Sequence, residues 1–473
     1  MSIEKSADRA EPSLKKSVKR ALNDPVLRSN FRGAMDFLIQ KRRAAFADPV
    51  ELEELRLRGE SIRQRVVENL PHLLEQLETN CKKNGIHVHW AETGHKACEI
   101  VLSILQKHGA GSVVKGKSMV SEEIGLNDCL SRHGIDCLET DMGEYIIQLA
   151  RERPSHIIMP AIHKSVGEVA DLFTKHIPGC EYTEDVDQLI LTARRQLREK
   201  FRLADAGISG VNFAVAGTGT LVLVENEGNG RLCTTLPDLH IAITGIEKVI
   251  PELSDLPVLL KLLTGSSTGQ PISTYLNIIT SPRKSEEKDG PREVHLVLLD
   301  NGRSDAFSDP LFRRTLFCIR CGACMNHCPV YTKIGGHAYP SVYPGPIGKI
   351  LSHHLIGFEA ARDLQSASTL CGACEEVCPV RIPITRTLVK LRQMAAAPYK
   401  GRAVGYGRGE SFLWTAWQYV YKNFRAYRVM MFFLTRLRLF LPRRPGTAGK
   451  KRTFPRPDAR TMHELMRKTG ERS

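Results

Sequence analysis

Two short cysteine runs hold seven of the thirteen cysteines in this 473-residue chain and are its most constraining feature. The first run spaces Cys318, Cys321, Cys324 and Cys328 by two, two and three residues, and Pro329 follows it. This is the spacing of iron–sulfur ligands in bacterial ferredoxins. Zinc ribbons favour CxxC pairs that lie farther apart, and a chain without export signals should not accumulate disulfides. The run therefore predicts iron–sulfur clusters.

The second run is one cysteine shorter and decides the ligand count. In two-cluster ferredoxins, the last cysteine of each run ligates the other cluster. Crossed ligation of this kind predicts Cys318, Cys321, Cys324 and Cys378 for cluster 1, and Cys328, Cys371 and Cys374 for cluster 2. Cluster 2 is then one cysteine short, and in the frame of the first run the missing ligand falls on Ser368.

This shortfall leaves the type of cluster 2 open. We expect two [4Fe–4S] clusters, because the second run keeps the two-residue spacing, and [3Fe–4S] is the alternative for cluster 2. Water, a partner group or another side chain could then complete the fourth position. The histidines nearest in sequence are His327, His337, His353 and His354, although each of them is also an ordinary surface or core residue. A predicted helix after Pro344 favours a helical two-cluster lobe.

Upstream of the cysteines, strand and helix patterns alternate over some 200 residues. The predicted strands are 86–90, 112–115, 135–138, 156–159, 211–215, 220–224, 240–244 and 294–299. The predicted helices are 94–108, 121–133, 143–151, 166–176 and 186–206. Such alternation indicates an α/β domain with a mostly parallel sheet that is covered on both faces.

Three residues of this domain are candidates for lining a functional pocket. Lys117 lies between a predicted strand and a helix N-terminus, where backbone N–H groups favour anions. The phosphate-loop spacing is lacking there, which argues against ATP binding. His163 follows the predicted strand 156–159, at the kind of position where α/β sheets bind ligands. Glu225 follows the strand that leaves the turn at residues 217–220, and that turn could equally be a purely structural β-turn.

The length of 473 residues predicts two or three domains. We predict N-terminal packing or subunit-contact helices over 1–80, the α/β domain over 81–304, the cluster lobe over 305–395 and a C-terminal tail over 396–473. No secretory signal pattern and no apolar run of membrane-spanning length is seen. These observations predict a cytoplasmic protein.

The net charge of +15 belongs to the tail. From Arg381 onward there are 22 Lys and Arg against 4 Asp and Glu, a net of +18, so the rest of the chain carries −3. Aromatic residues interleave with basic ones over 410–441, a pattern that suits an anionic membrane surface or an acidic partner. No nucleic-acid module accompanies it, so nucleic acid is not expected. We favour subunit docking, with peripheral membrane contact as the alternative.

Several of these stretches together resemble the lactate-utilisation protein B family over nearly the whole chain. The matching segments are 117–127, 144–150, 160–164 and 216–220, the first cysteine run with residues 335–339, and the three-cysteine second run. The resemblance implies an α/β domain similar to sugar-isomerase and CoA-transferase folds. It also implies a role in oxidising L-lactate to pyruvate alongside two companion subunits.

The resemblance, and not composition or spacing, points to lactate. The leading hypothesis is an electron-transfer component of an L-lactate dehydrogenase complex, because nothing in the cysteine runs positions a base against a substrate. A second hypothesis makes the α/β domain itself the site that binds or converts a carboxylate or acyl substrate, through Lys117, His163 or Glu225. A third is a non-catalytic assembly or redox-sensing subunit.

Overall fold

The computed structural model describes residues 14–396 and 408–437, together with Asp458 and Thr461. The chain forms two compact units, Met1–Arg392 and Gln393–Ser473. The strands are β1 (His87–Ala91), β2 (Ser112–Lys115), β3 (Asp136–Glu139), β4 (Ala206–Gly210), β5 (Phe213–Val215), β6 (Thr220–Glu225), β7 (Leu239–Gly245), β8 (Val249–Ile250), β9 (Tyr275–Ile279) and β10 (Glu293–Leu299).

The helices of the first half are α1 (Leu14–Leu22), α2 (Pro25–Ala45), α3 (Pro49–Glu68), α4 (Leu70–Lys83), α5 (Gly94–Lys107), α6 (Met119–Glu123), α7 (Leu126–Arg132), α8 (Met142–Ala150), α9 (Val166–His176), α10 (Val186–Leu203) and α11 (Asn229–Thr235). Those of the second half are α12 (Leu256–Ser267), α13 (Arg303–Ser308), α14 (Ala323–Asn326), α15 (Tyr331–Ile334), α16 (Gly345–Leu355), α17 (Phe358–Ala361), α18 (Ala373–Glu376), α19 (Ile384–Ala396), α20 (Arg408–Lys422) and α21 (Phe424–Arg436). None of the described helices is long and apolar enough to cross a membrane.

A six-stranded sheet forms the centre of the α/β domain, in the order β1-β10-β7-β4-β2-β3. Every pairing in it is parallel. All seven residues of β7 are buried, as expected for a strand covered on both faces. Alternate residues of β10 enter two different cores, Val297 on one face and Leu296 on the other. The prediction of a mostly parallel sheet covered by helices is confirmed.

A second sheet of four strands, in the order β8-β5-β6-β9, packs beside the first. Its β5–β6 hairpin turns at residues 217–220, where Gly219 has a φ of +67°. A Cβ on Gly219 would lie 2.6 Å from the backbone of Asn80 at the end of α4. The Asn80 side chain donates to the Ala216 carbonyl at 2.7 Å. The turn therefore serves to seat the hairpin on α4.

The predicted strand at 156–159 is wrong, since this segment is irregular and pairs with no strand. Its apolar residues are drawn inward around a fully buried histidine. The His156 Nδ1 atom accepts the N–H groups of Ile158 and Met159 at 3.0 and 3.2 Å. A strand would have donated N–H groups of this segment to a neighbour. The loop thus satisfies its backbone locally.

Two predicted helices also differ from the structure. The helix predicted over 121–133 is divided at Gly125, which has a φ of +65°. The helix predicted over 186–206 ends at Leu203, and the following residues form β4. A Cβ on Gly207 of β4 would lie 1.7 Å from the Cys233 carbonyl oxygen, so only glycine lets α11 approach this strand.

The N-terminal helices pack on the cysteine lobe. Buried residues of α2 and α3, among them Phe31 and Ile62, share one apolar core with the cysteines of both runs. Arg63 of α3 is fully buried and donates to the carbonyl oxygens of Val249 and Leu316 at 3.1 and 2.8 Å. Packing, one of the two roles predicted for this segment, is what the structure shows.

Candidate iron–sulfur centre

The structure brings together the four cysteines predicted for cluster 1, which are all buried. Burial, and then the neighbouring Cys318 and Cys378 thiolates, raise the pKa of Cys321 to about 12. Burial and the charges of Cys321, Cys318 and Cys378 raise the pKa of Cys324 in the same way. Because neighbouring thiolates repel one another, a cation or a metal cluster between their sulfur atoms would stabilise the charged forms. The set fits an iron–sulfur cluster.

The three cysteines predicted for cluster 2 form a separate set nearer the surface. Burial, and then the charges of Cys328 and Cys371, raise the pKa of Cys374 to about 11. Cys371 is exposed, whereas Cys328 is buried. The three cysteines and Ser368 line one small cavity together. The donor set fits a second cluster that reaches the protein surface.

The two runs repeat one backbone design. Each contains Cys-Gly-Ala-Cys, in which Gly322 or Gly372 is left-handed, with φ of +77° and +84°, and begins a one-turn helix. The residue before each segment, Arg320 or Leu370, also has a positive φ, 60° and 54°. The repeat explains how short loops can aim successive thiolates at one centre.

The repeat also places Ser368 where Cys318 stands in the first run. The Arg320 N–H donates to the Cys318 sulfur at 3.4 Å. The Leu370 N–H donates to the Ser368 Oγ atom at 3.2 Å. The serine hydroxyl thus occupies the ligand position of the repeat, with the same backbone bond.

The four candidate histidines do not line the cavity of cluster 2. His327 bonds the Ala323 carbonyl oxygen at 2.9 Å, and His337 donates to the Arg153 carbonyl at 2.6 Å. The ring of His353 contacts that of Phe358, and the ring of His354 contacts that of Phe312. Ser368 is therefore better placed than any of them.

Sequence reasoning missed two cations beside the cysteines. Burial lowers the pKa of Lys349, and the charges of Cys328, Cys374 and Cys324 oppose that effect, so this lysine lies near both sets. Burial likewise lowers the pKa of Arg42 on α2, and Cys321 and Cys378 oppose it. Positive charge at these places stabilises the thiolates and any electron added to a cluster.

Lys117 and Glu225 line one cavity of about 370 Å³ between the two sheets. The Lys117 ammonium donates to the Ile158 carbonyl oxygen. The Glu225 carboxylate accepts from the N–H groups of Gly230 and Arg231 at 2.5 and 2.7 Å, at the start of α11. Glu225 therefore caps a short helix, whereas the side chain of Lys117 forms part of the cavity wall.

The same cavity reaches the cluster 1 loop at Arg320. Arg320 pairs with Glu247 at 3.1 Å, and its guanidinium lies 4.8 Å from the Tyr343 ring centroid. Lys248 also lines the cavity, is 7% exposed, and has no hydrogen-bond or ion-pair partner among the described residues. Burial, and then Arg320, lower the pKa of Lys248 to about 8. An unpartnered buried lysine beside Arg320 makes this end of the cavity suited to an anion.

His163 lies elsewhere. It lines a different cavity of about 660 Å³ together with His337, and its Nε2 atom is 2.6 Å from the Glu152 carboxylate. The structure thus places His163 in a different cavity from Lys117 and Glu225.

The fold and these sites define a class of protein: an α/β domain joined to a helical lobe that binds two iron–sulfur clusters. Family models match the chain in the same order. They are the LUD domain over residues 74–299, the 4Fe-4S dicluster domain over 314–382, and "Lactate utilisation protein B, C-terminal" over 387–471.

Curated relatives agree with these matches. Lactate utilization protein B of Bacillus subtilis is 44% identical over 382 residues, which is 80% of this chain and 79% of the relative. That of Bacillus licheniformis is 44% identical over 380 residues, with 80% and 79% covered. An "Uncharacterized electron transport protein YkgF" of Escherichia coli is 43% identical over 382 residues, with 81% and 80% covered. The chain belongs to the lactate utilisation protein B family.

Among solved structures, the chain is similar in part to a DUF162 family protein from Deinococcus radiodurans. It is 15% identical and covers 49% of this chain and 98% of its own, with a TM-score of 0.28.

Proposed function

We propose that the chain is the iron–sulfur electron-transfer subunit of a system that oxidises L-lactate to pyruvate. The observation that carries this proposal is the graded depth of the two cysteine sets. The first set is buried beside a cavity, and the second reaches the surface at Cys371. When bound, clusters of this kind supply one-electron transfer. The names of the relatives support both lactate utilisation and electron transport.

A Cys321→Ala variant in the assembled complex tests this role. We expect the rate from lactate to an artificial acceptor to fall to background, because the variant removes a ligand of cluster 1. Cys180→Ala is the matched control, since Cys180 is only partly buried and lies outside both runs. An unchanged rate in Cys321→Ala would contradict electron transfer through cluster 1. Lactate turnover by the isolated chain would contradict a purely electron-transferring role.

We further propose the crossed ligand assignment. Cys321 and Cys371 belong unambiguously to clusters 1 and 2 in any pairing of the runs. Crossed ligation predicts that Cys378→Ala has the iron content and EPR spectrum of Cys321→Ala, and that Cys328→Ala matches Cys371→Ala. Ligation within each run predicts the opposite matches.

For the cluster types we propose two [4Fe–4S] clusters. The retained backbone bond to Ser368 supports an intact fourth position in cluster 2. Low-temperature EPR of the oxidised protein tests this proposal, since a [3Fe–4S] cluster is paramagnetic when oxidised. A stoichiometric signal of that type would replace the second [4Fe–4S] assignment.

A second candidate function is favoured by Lys248: the cavity between the sheets binds a small carboxylate. A carboxylate there would pair with an ammonium that otherwise has no partner, which offsets the cost of burying the charge. We expect L-lactate or pyruvate to bind more tightly below pH 8 than above it, because Lys248 loses its proton as the pH rises through its pKa of about 8.

Calorimetric titration of the full chain with L-lactate measures this binding. Lys248→Met should weaken it about tenfold or more, and Lys261→Met should not, because Lys261 lies at the surface beside Glu51. Equal affinity for L-lactate in the two variants would exclude the cavity as a carboxylate site. It would not affect the proposed electron-transfer role.

The proposed partners are two companion lactate-utilisation subunits, docked through α20 and α21. Aromatic side chains of these helices are exposed, with Trp417 and Phe432 about half accessible. Phe440 and its neighbours lie outside the described residues. Trp417→Ala with Phe432→Ala should reduce co-purification of the companions, whereas Leu203→Ala, an exposed residue of α10, should not. If the double variant instead loses only binding to anionic vesicles, the tail is a peripheral membrane contact.

A further inference from the structure

Two histidines and a glutamate from distant segments meet beside the larger cavity. Glu152 follows α8, His163 lies in the irregular loop before α9, and His337 lies in the cluster lobe after α15. One potential ligand atom from each lies within 4.8 Å of those of the other two. The rings of His163 and His337 meet edge to face, with centroids 4.5 Å apart. No function described above uses this group.

Each histidine is held by its other ring nitrogen. His337 donates its Nε2–H to the Arg153 carbonyl oxygen at 2.6 Å, which leaves Nδ1 with its lone pair. The Ser155 hydroxyl lies 2.8 Å from His163 Nδ1 and 2.9 Å from the Pro160 carbonyl oxygen. If Ser155 donates to Pro160, it accepts from His163 Nδ1–H, and Nε2 is then free to coordinate.

This arrangement is the usual support of metal-binding histidines. Such histidines donate the second ring N–H to a carbonyl or another oxygen, which fixes the tautomer and the ring orientation. The third group, Glu152, turns its Oε2 atom to His163 Nε2 at 2.6 Å, while Oε1 pairs with Lys164 at 2.6 Å. An ion with bonds of about 2.0–2.2 Å would widen the Oε2–Nε2 separation to roughly 3.3 Å. A change of this size requires only a small side-chain rotation of the partly exposed Glu152.

The surroundings also define what the open side of the group faces. The cavity of about 660 Å³ is lined by Arg20, Arg153 and Lys164, with Asp24 and Glu168 at its wall. With Glu152 included, three acidic and three basic side chains line this cavity, so an open coordination position faces a polar wall without net charge. The cavity also touches Tyr339, a buried residue of the cluster lobe.

We propose that Glu152, His163 and His337 form a mononuclear site for a divalent transition metal, separate from the iron–sulfur clusters. Two imidazoles and one carboxylate favour ions of the Zn²⁺ or Fe²⁺ kind over Mg²⁺ or Ca²⁺, which prefer oxygen ligands. Three protein ligands leave a position open towards the cavity. The site would also join the α/β domain to the cluster lobe, because its ligands come from both.

The test uses full-length, cluster-loaded protein prepared without oxygen and dialysed against Zn²⁺ as the probe. Zinc is counted by mass spectrometry and stays distinct from cluster iron. We expect about one zinc per chain, and at least about a tenfold loss of affinity in Glu152→Gln, His163→Asn and His337→Asn. Ser155→Ala should weaken binding about 10- to 100-fold through the tautomer of His163 alone.

His89→Gln is the matched control. His89 belongs to a second group of histidines, in which its Nε2 atom lies 3.0 Å from His295 Nδ1. Zinc lost in His89→Gln but kept in His337→Asn would overturn the proposal, and so would wild-type protein that binds no zinc. Iron content per chain shows whether each variant still folds. His337 is exposed, so His337→Asn should keep its clusters. This variant therefore tests the site even if substitutions of buried residues cause loss of the clusters.

Discussion

Glu247 is the centre of a buried ion network that joins the α/β domain to the cluster 1 loop. Its carboxylate accepts from the Arg303 Nε atom at 2.5 Å and from Arg320 at 3.1 Å. Arg303 also forms a two-pronged pair with Glu123, with both contacts at 2.9 Å. Glu247 is 2% exposed. Glu247→Gln would keep the volume, leave Arg303 paired with Glu123, and remove the carboxylate partner of the buried Arg320.

The structure sets the size of the expected effect. Although burial opposes it, the Arg303 and Arg320 charges lower the pKa of Glu247 from 4.5 to about 2. At about 1.36 kcal/mol per pH unit, this difference corresponds to about 3 kcal/mol of stabilisation at neutral pH. Removing one partner of a buried ion pair costs about 3–5 kcal/mol by a separate argument. We therefore expect Glu247→Gln to destabilise the chain by about 3 kcal/mol.

Anaerobic urea unfolding followed by circular dichroism measures this change. For a urea dependence of about 3 kcal/mol per molar, the midpoint should fall by about 1 M. Glu199→Gln is the control, since its pair with Arg202 is exposed on both sides and should contribute less than about 1 kcal/mol. Because the folded-state pKa is depressed, the stabilisation is complete above pH 4.5 and is lost only as the pH falls towards 2. The difference from wild type should therefore stay constant between pH 6 and 7.5, and a midpoint shift no larger than that of Glu199→Gln would refute the reasoning.

Three further predictions concern the clusters. Lys349→Met should lower the reduction potential of cluster 2, because a buried cation stabilises the added electron. The decrease in potential should be on the order of 50–100 mV in an EPR-monitored redox titration. Arg42→Met should do the same for cluster 1, and exposed Lys261→Met should change neither; a rise in either potential would contradict the charge argument. Ser368→Cys should slow the loss of iron from cluster 2 under ferricyanide, because a fourth thiolate replaces a hydroxyl, and faster loss would show that residue 368 does not face the cluster.

Local sequence signals predicted the parts of the fold that depend on short stretches of chain. The strand at Ser112–Lys115 and the helix at Val166–His176 match their predicted bounds. The cysteine spacing also indicated iron–sulfur clusters, because spacing within a run limits where each thiolate can point. The apolar stretch 156–159 misled, since periodicity cannot show that His156 takes up the N–H groups of its own loop.

The missed site residues share a different cause. Lys248 directly precedes β8 of the small sheet, and Arg320 lies inside a cysteine run, so neither stands out from its neighbours in sequence. Their relation to Lys117 exists only after β4 and β6 meet across the cavity. Likewise, His337 was considered as a cluster ligand because it lies near the cysteines in the chain, whereas the fold turns it towards Glu152. For His337, proximity in sequence was therefore the wrong guide to its neighbours in the fold.

The repeated cysteine segments bear on why the lobe has seven cysteines and not eight. If the eighth position had been lost by a change of loop length, the second run would not reproduce the positive φ of Arg320 at Leu370. It does so, and the Leu370 N–H still points at the side chain of residue 368. The difference between the runs is therefore one of ligand chemistry on a conserved loop geometry. Since residue 368 lines the same cavity as the exposed Cys371, the position that lacks a cysteine lies at the end of the lobe that a partner can reach.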